Sequence, residues 1–308
     1  MKAFHSDGHP LPLPAGHRFP QSKYRLLRTL VEGRPDLDLV EAPAASDDLL
    51  ALAHSPAYVR SVASDGLTPL EQRAIGFPWS EAMVERSRRS VGATCEAARS
   101  ALREGVAANL AGGTHHASAD RGSGYCVFND VAVASRLMQA QASAAPLRIV
   151  VIDLDVHQGD GTARIFEGDP SVFTVSLHGE RNFPFRKATS DLDVALPDAC
   201  GDADYLASLD AALGVVLAEH ARAAFGLAFY LAGADPHEDD RLGRLKLSAA
   251  GLLERDRRVL GLLREQRIPA ALAMAGGYGR SLDVTVAIQA ATIDAAIESW
   301  RRWNNAPR

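Results

Sequence analysis

The chain has 308 residues, 47% of them hydrophobic and 23% charged, a globular composition that excludes a disordered chain. Its net charge of −5 offers no general basic surface for nucleic acid, and no run of about 20 apolar residues is present to span a bilayer. The three cysteines, Cys95, Cys126 and Cys200, are odd in number and never at CxxC spacing, which argues against a disulfide framework and a thiolate zinc site.

In chain order, residues 1–6 carry no apolar run of the kind that directs export, so the expected compartment is the cytoplasm. Lys2, Ala3 and Phe4 read as an opening strand, and the proline-rich stretch 9–20 as a long surface loop rather than a linker. Residues 21–31 have helical spacing, with Tyr24, Leu27, Leu30 and Val31 predicted on one side. Ser80 is the predicted N-cap of a helix reaching residue 103. Residues 106–110 read as a short buried strand and 129–142 as a helix after a glycine-rich loop. RIVVID at 148–153 is the clearest strand, a continuous β-branched run of the sort that parallel strands buried on both faces require. A strand at 172–177, a helix at 203–222, a strand at 227–232, a helix at 248–264, a strand at 270–274 and a closing helix at 282–300 follow. This alternation predicts an α/β protein with a mostly parallel central sheet and helices on both faces. No repeat or low-complexity linker divides residues 1–308, so a single domain is expected.

Loops at the carboxyl ends of parallel strands are where such proteins place their chemistry. Four segments in these positions hold unusual polar residues. Gly112–Gly113–Thr114–His115–His116 puts two histidines after a glycine pair; by themselves they read as two surface histidines in a loop. Asp153, Asp155 and His157 alternate along extended chain and so face one way, with Leu154 and Val156 facing the other. Two carboxylates and an imidazole so close together need a cation, and oxygen plus imidazole suits zinc, iron or manganese. Asp160, just beyond, also suits a helix cap. Asp235 is the first acid after the strand at 227–232 and a natural third ligand. His237, past Pro236, is expected to point away, and Asp239 and Asp240 read as a solvated acidic turn. Gly276–Gly277–Tyr278–Gly279 lets the backbone press close to a site and present Tyr278, which alone would also suit a core tyrosine.

Together these segments resemble the histone deacetylase family of the arginase-deacetylase superfamily. GGTHHA is similar to its tandem-histidine motif, DLDVHQGDG to its DxDxHxGDG motif, GADPHEDDRLG to its third-ligand loop and AGGY to its tyrosine loop, in family order across residues 112–279. Gln158, where many members have a second histidine, the RLG after the third-ligand loop, and GHRFPQSKYRLL near the N-terminus resemble the class IV-like bacterial branch. Ala275 departs from a glycine common in larger members.

The resemblance implies the three-layer αβα arginase-deacetylase fold and a zinc-dependent deacylase. On that basis Asp155, His157 and Asp235 are the zinc ligands, leaving a side open for water and substrate. His116 is the general base and the acid for the leaving amine, and His115 assists electrostatically. Asp153 pairs with His115 and Asp160 with His116, fixing tautomers. Tyr278 donates to the oxyanion. Gly124 and Tyr125 form one wall of a substrate tunnel and Phe183 or Phe185 the other, with Gly276 and Gly277 at the tyrosine loop. Cys126 is expected to be buried near the site. Lys23 is expected either beneath it or as a solvent-exposed helix lysine. A structural potassium ion is implied at Asp153, Asp155, His157 (main-chain oxygen), Ser176 and Leu177 (main-chain oxygen).

The implied substrate is N-ε-acyl-lysine in a peptide or protein, with a small acylated amine as the alternative. No nucleic-acid or membrane partner is implied, and no oligomeric state. A non-catalytic binding protein on this fold and a two-manganese ureohydrolase are the rivals. The second needs an aspartate where this chain has Gly159.

Overall fold

The computed structural model describes residues 1–142 and 146–305. Its strands are β1 (Lys2–His5), β2 (Asp38–Glu41), β3 (Val106–Asn109), β4 (Ile149–Asp153), β5 (Val172–Gly179), β6 (Leu192–Leu196), β7 (Leu227–Leu231) and β8 (Ala270–Ala273). They form one eight-stranded sheet in the order β2-β1-β3-β8-β7-β4-β5-β6, with every neighbouring pair parallel. The helices are α1 (Ser22–Val31), α2 (Asp47–Leu50), α3 (Pro56–Ala63), α4 (Pro69–Ile75), α5 (Glu81–Glu104), α6 (Asp130–Gln141), α7 (Asp160–Phe166), α8 (Asp202–Arg222), α9 (Ala249–Glu265) and α10 (Leu282–Asn305).

Strand alternation builds a three-layer α/β fold. In β4, Ile149 and Val151 point into a core shared with α3, α5 and α6, whereas Val150 and Ile152 point into a second core under α1, α8, α9 and α10. Both faces are therefore apolar, which is why RIVVID reads as an unbroken hydrophobic run. Ser80 accepts a hydrogen bond from Met83 N and caps α5 as expected, and Asn129 and Ser248 cap α6 and α9 in the same way. Among the described residues no helix is long and apolar enough to cross a membrane.

Several expectations need correction. Leu30 is 45% exposed, and the buried side of α1 is Lys23, Leu27 and Val31 instead. The 9–20 stretch is more than a surface loop: Leu11 is buried, and both Leu11 and Phe19 line the main cavity. The short elements β2, β6, α2, α3, α4 and α7 were not anticipated. α3 and α4 did carry readable starts, since Ser55 and Thr68 each precede a proline and each accept a capping hydrogen bond. Thr68 and Glu71 also form a reciprocal capping box.

The topology gathers the four polar segments. They follow β3, β4, β7 and β8, which are neighbours in the sheet in the order β3-β8-β7-β4. Parallel pairing brings all four carboxyl ends to one edge.

Candidate active site

Beyond the end of β4 the chain bends through residues 155–157, where Leu154 and Val156 are fully buried in the core while Asp155 and His157 join the polar side. His157 Nδ1 lies 2.9 Å from Asp155 Oδ1 and 3.4 Å from Asp235 Oδ2. The ligand atoms of Asp155, His157 and Asp235 all fall within 4.8 Å of one another, and all three residues are buried. Asp153, the third member of the alternating run, is engaged elsewhere: its Oδ2 accepts from His115 Nδ1 at 2.6 Å.

Main-chain donors hold the carboxylates in place. Asp155 Oδ2 accepts from Gly276 N at 2.7 Å, and Asp235 Oδ1 accepts from Val156 N at 3.0 Å. Asp235 Oδ2 is buried with no hydrogen-bond partner. An unpartnered buried carboxylate oxygen is costly, and here it faces an imidazole nitrogen and a second carboxylate. This donor set fits a divalent cation. Gly276 is required at its position, because a Cβ there would lie 1.8 Å from Asp235 Oδ2 and 2.6 Å from Asp155 Oδ2. Gly159 is equally constrained, with a Cβ 2.3 Å from Asp153 Oδ2. The chain therefore has no room there for the aspartate that a second metal would need.

Burial opposes a proton on His157, but the hydrogen bond to Asp155 and the nearby Asp235 carboxylate outweigh it and raise the imidazole to about 10. Burial, reinforced by the neighbouring Asp155, raises the Asp235 carboxyl to about 7.

The two histidines differ. His116 Nδ1 lies 2.7 Å from Asp160 Oδ1, and Asp160 is also paired with Arg164. The His115 and His116 rings are 4.2 Å apart, and His116 is 5.9 Å from the His157 ring. Burial is opposed at His115 by Asp153 and Asp155, which raise it to about 9. At His116 burial and the charge of His115 outweigh the hydrogen bond to Asp160, lowering it to about 4. The two imidazoles are thus biased in opposite directions, His115 toward the imidazolium and His116 toward the free base.

These groups stand at the floor of a cavity of about 870 Å³. Tyr278 lines it, and burial raises the phenol well above its usual range, so the hydroxyl keeps its proton. Tyr125 packs 6.0 Å from Tyr278 and 5.3 Å from both Phe19 and Phe77. Gly124 adopts φ +54°, and a Cβ there would press 2.6 Å from the His116 ring. The structure separates the two phenylalanines: Phe183 stacks edge-on against His116 at 4.9 Å, whereas Phe185 is 86% exposed at the rim. Gly276 lines the cavity, but Gly277 does not. Gly277 is buried, packed against Thr285 and Ala234, and its carbonyl accepts from Lys23. This corrects its placement in the tunnel. Lys23 is buried beneath the tyrosine loop, donating to Ala275 O and Gly277 O at 3.3 Å each. Cys126 is buried, and burial pushes its thiol well up, so it is no nucleophile. His237 stays outside the cavity wall and accepts from Asp239 N. Gln158 ties residues 188–193 to the site through Ala188 and Asp193.

Asp240 is a further correction. Rather than a solvated turn residue it is 6% exposed and accepts from Tyr278 N at 2.6 Å, Leu242 N and Gly243 N, so it holds the tyrosine loop. Two other supports were missed. Asp130 accepts from Gly113 N, Thr114 N and the Thr114 hydroxyl, fixing the loop before the histidines. Fully buried Arg255 donates to Leu154 O and Gly233 O, one carbonyl beside Asp155 and one near Asp235. An Arg–Asp pair (Arg255–Asp256) on the apolar side of a predicted helix was the available signal.

Residues 17–293 match the family model described as a histone deacetylase domain. An uncharacterized protein of Picosynechococcus sp. is 44% identical over 282 residues, covering 91% of this chain and 92% of that protein. Histone deacetylase 2 of Arabidopsis thaliana is 31% identical over 277 residues, covering 86% of this chain and 70% of its own length. The solved structure of an HDAC homolog from Aquifex aeolicus superposes with a TM-score of 0.78 at 23% identity, over 96% of this chain and 83% of that one.

Proposed function

Because this chain belongs to the histone deacetylase family, we propose that it is a zinc-dependent hydrolase that removes acyl groups, acetyl foremost, from N-ε-acyl-lysine in peptides or proteins. The observation that carries the reading is the convergence, on one cavity floor, of a three-ligand group, a carboxylate-tied histidine pair and a protonated tyrosine.

Asp155, His157 and Asp235 would hold the zinc ion, which when bound supplies Lewis acidity, polarising the amide carbonyl and activating water near neutral pH. The remaining chemistry belongs to the chain. His116, its Nδ1 committed to Asp160, takes the proton of the attacking water at Nε2 and returns it to the leaving amine. His115, held charged by Asp153 and Asp155, adds a fixed positive charge beside the developing oxyanion. The Tyr278 hydroxyl donates to the carbonyl oxygen as its charge grows. Gly124, Tyr125 and Phe183 confine the linear part of the substrate. A structural potassium ion at Asp153, Asp155, His157, Ser176 and Leu177 is part of the same proposal, supported by the register that sets Asp153 beside Ser176 across β4 and β5.

The test is zinc content together with turnover of an acetyl-lysine peptide. The purified protein should hold one zinc per chain and hydrolyse the peptide, and Asp155→Ala and Asp235→Ala should each lose metal and activity together. Full zinc occupancy in both variants would remove these residues from the site. Hydrolysis of small acylated amines with no turnover of the peptide would replace the proposed substrate.

A further inference from the structure

The wall of the main cavity is one-sided in charge. Apart from the ligand group Asp155 and Asp235, no carboxylate among the described residues lines it, whereas Arg73, Arg181, Arg241 and Arg244 do, along with Arg86, which is buried deeper. Arg73 comes from α4, Arg181 from the turn after β5, and Arg241 and Arg244 from the loop after β7. All four are exposed, which places them at the mouth rather than the floor. They stand against the average of the molecule, whose net charge is −5.

Local pairing leaves most of this charge unspent. Asp198 serves two of the arginines, 2.7 Å from Arg244 and 3.8 Å from Arg181. Arg241 donates from Nε to the Tyr278 carbonyl at 2.9 Å, which anchors its stem beside the catalytic loop. Among the described residues neither Arg241 nor Arg73 has a carboxylate within ion-pair distance. Among the described residues Asp198 is thus the one carboxylate paired with these four guanidinium groups, and the exposed ring of Phe185 lines the same cavity.

We propose that the substrate is an acidic peptide, an acyl-lysine flanked by aspartate or glutamate, whose carboxylates meet Arg73, Arg181 and Arg241 while the acylated side chain enters the cavity. This rests on the deacylase reading above and adds the charge of the substrate. Guanidinium forks match carboxylates in geometry as well as charge. The backbone on either side of the lysine would lie across the rim, with Phe185 covering its apolar edge. A polyamine or a lysine-rich tail would instead meet like charges, which disfavours both.

Two labelled acyl-lysine peptides of equal length, one flanked by Asp and Glu and the other by Arg and Lys, test this with the zinc-loaded protein. Binding is read by fluorescence anisotropy and turnover is read in parallel. Exposed ion pairs are each worth up to about fivefold in affinity, so the acidic peptide should bind about tenfold tighter or better at low salt, with the advantage shrinking as salt rises. Arg73→Glu with Arg181→Glu should abolish or reverse the preference, and Arg73→Gln with Arg181→Gln should reduce it. The ratio of the two affinities is the readout, so a general loss of binding cancels. Equal affinities in the unaltered protein, or an undiminished ratio in both double variants, would overturn the proposal. A charge preference in binding with no turnover of either peptide would support the rim assignment while removing the deacylase reading.

Discussion

The floor and the mouth of the cavity are built in opposite ways. On the floor the functional side chains are short, buried and tied to the main chain: Asp153 Oδ1 accepts from Asp155 N at 3.1 Å, Asp155 Oδ1 from His157 N at 2.9 Å, and Asp235 Oδ1 from Val156 N at 3.0 Å. At the mouth the functional side chains are long and exposed, arrive from three separate segments and make few fixed contacts. A carboxylate locked by backbone donors at a strand end cannot move without the sheet, which gives the precision that bond-making chemistry needs. An arginine on a loop can be exchanged without disturbing any strand, which suits recognition. Losses of rate should therefore concentrate on the floor, and changes of affinity at the mouth.

The histidine pair puts the heaviest load on that division after the proposed zinc ligands. His116→Ala should lower kcat by about 10²–10⁴, the usual worth of a general base, with zinc still bound. His115→Ala should cost clearly less, because Asp153 and Asp155 favour the imidazolium of His115 over the free base that a proton acceptor needs. Steady-state kinetics of both variants at matched zinc content decide the matter. Equal losses, or the larger loss at His115, would reverse the two roles.

Tyr278 sits where floor meets mouth. Its backbone belongs to the floor, since Asp240 accepts its N–H and Lys23 holds the neighbouring carbonyls. Its ring joins the aromatic wall with Tyr125 and Phe19. Tyr278→Phe keeps the ring and the loop and removes one donor, so kcat should fall by about 10²–10³, or roughly 2.7–4 kcal/mol, with KM nearly constant. A rise in KM at unchanged kcat would move Tyr278 to the recognition side of the division.

The same division explains what was legible in the amino-acid sequence. The floor was, because its residues sit at fixed places beside strand ends: Asp155 and His157, two apart, share the polar side although the chain bends there, and four strand ends collected GGTHHA, DLDVHQGDG, GADPHEDD and AGGY. The strands of the inner sheet were legible for a related reason, as residues buried on both faces leave an unbroken apolar run. Where the reading failed, a long-range contact had overridden a local pattern. Leu30 fits the helical spacing of α1, but the buried position goes to Lys23, whose ammonium reaches the carbonyls of Ala275 and Gly277. Asp240 looks like one of two surface acids until the tyrosine loop folds over it. Phe183 and Phe185 are two residues apart in one motif, and only the packing of Phe183 on His116 tells them apart. The rim arginines are dispersed from residue 73 to residue 244, so no window of sequence shows them as a group.

The mildest test separates the two regions by pH. On the floor, a cation must displace protons. The His157 imidazole, raised to about 10, and the Asp235 carboxyl, raised to about 7, both bind protons more tightly than they would in free chain. Ligands have to be deprotonated to hold metal. Between those two values His157 gives up one proton when zinc enters, so zinc affinity should rise about tenfold for each unit of increasing pH. Below about 7 Asp235 gives up a second proton, and the dependence should steepen toward about a hundredfold per unit. The mouth depends on guanidinium groups, which keep their charge throughout this range, so the ratio of acidic to basic peptide affinity should stay flat once the peptides carry the same charges at both ends of the titration. Competition with a zinc chelator across pH 6–9 measures the first quantity and anisotropy of the metal-loaded protein the second. A zinc affinity independent of pH would mean that His157 and Asp235 do not hold the displaced protons. A peptide ratio that tracks the zinc curve would mean that the mouth reads charge through the metal site rather than through its own arginines.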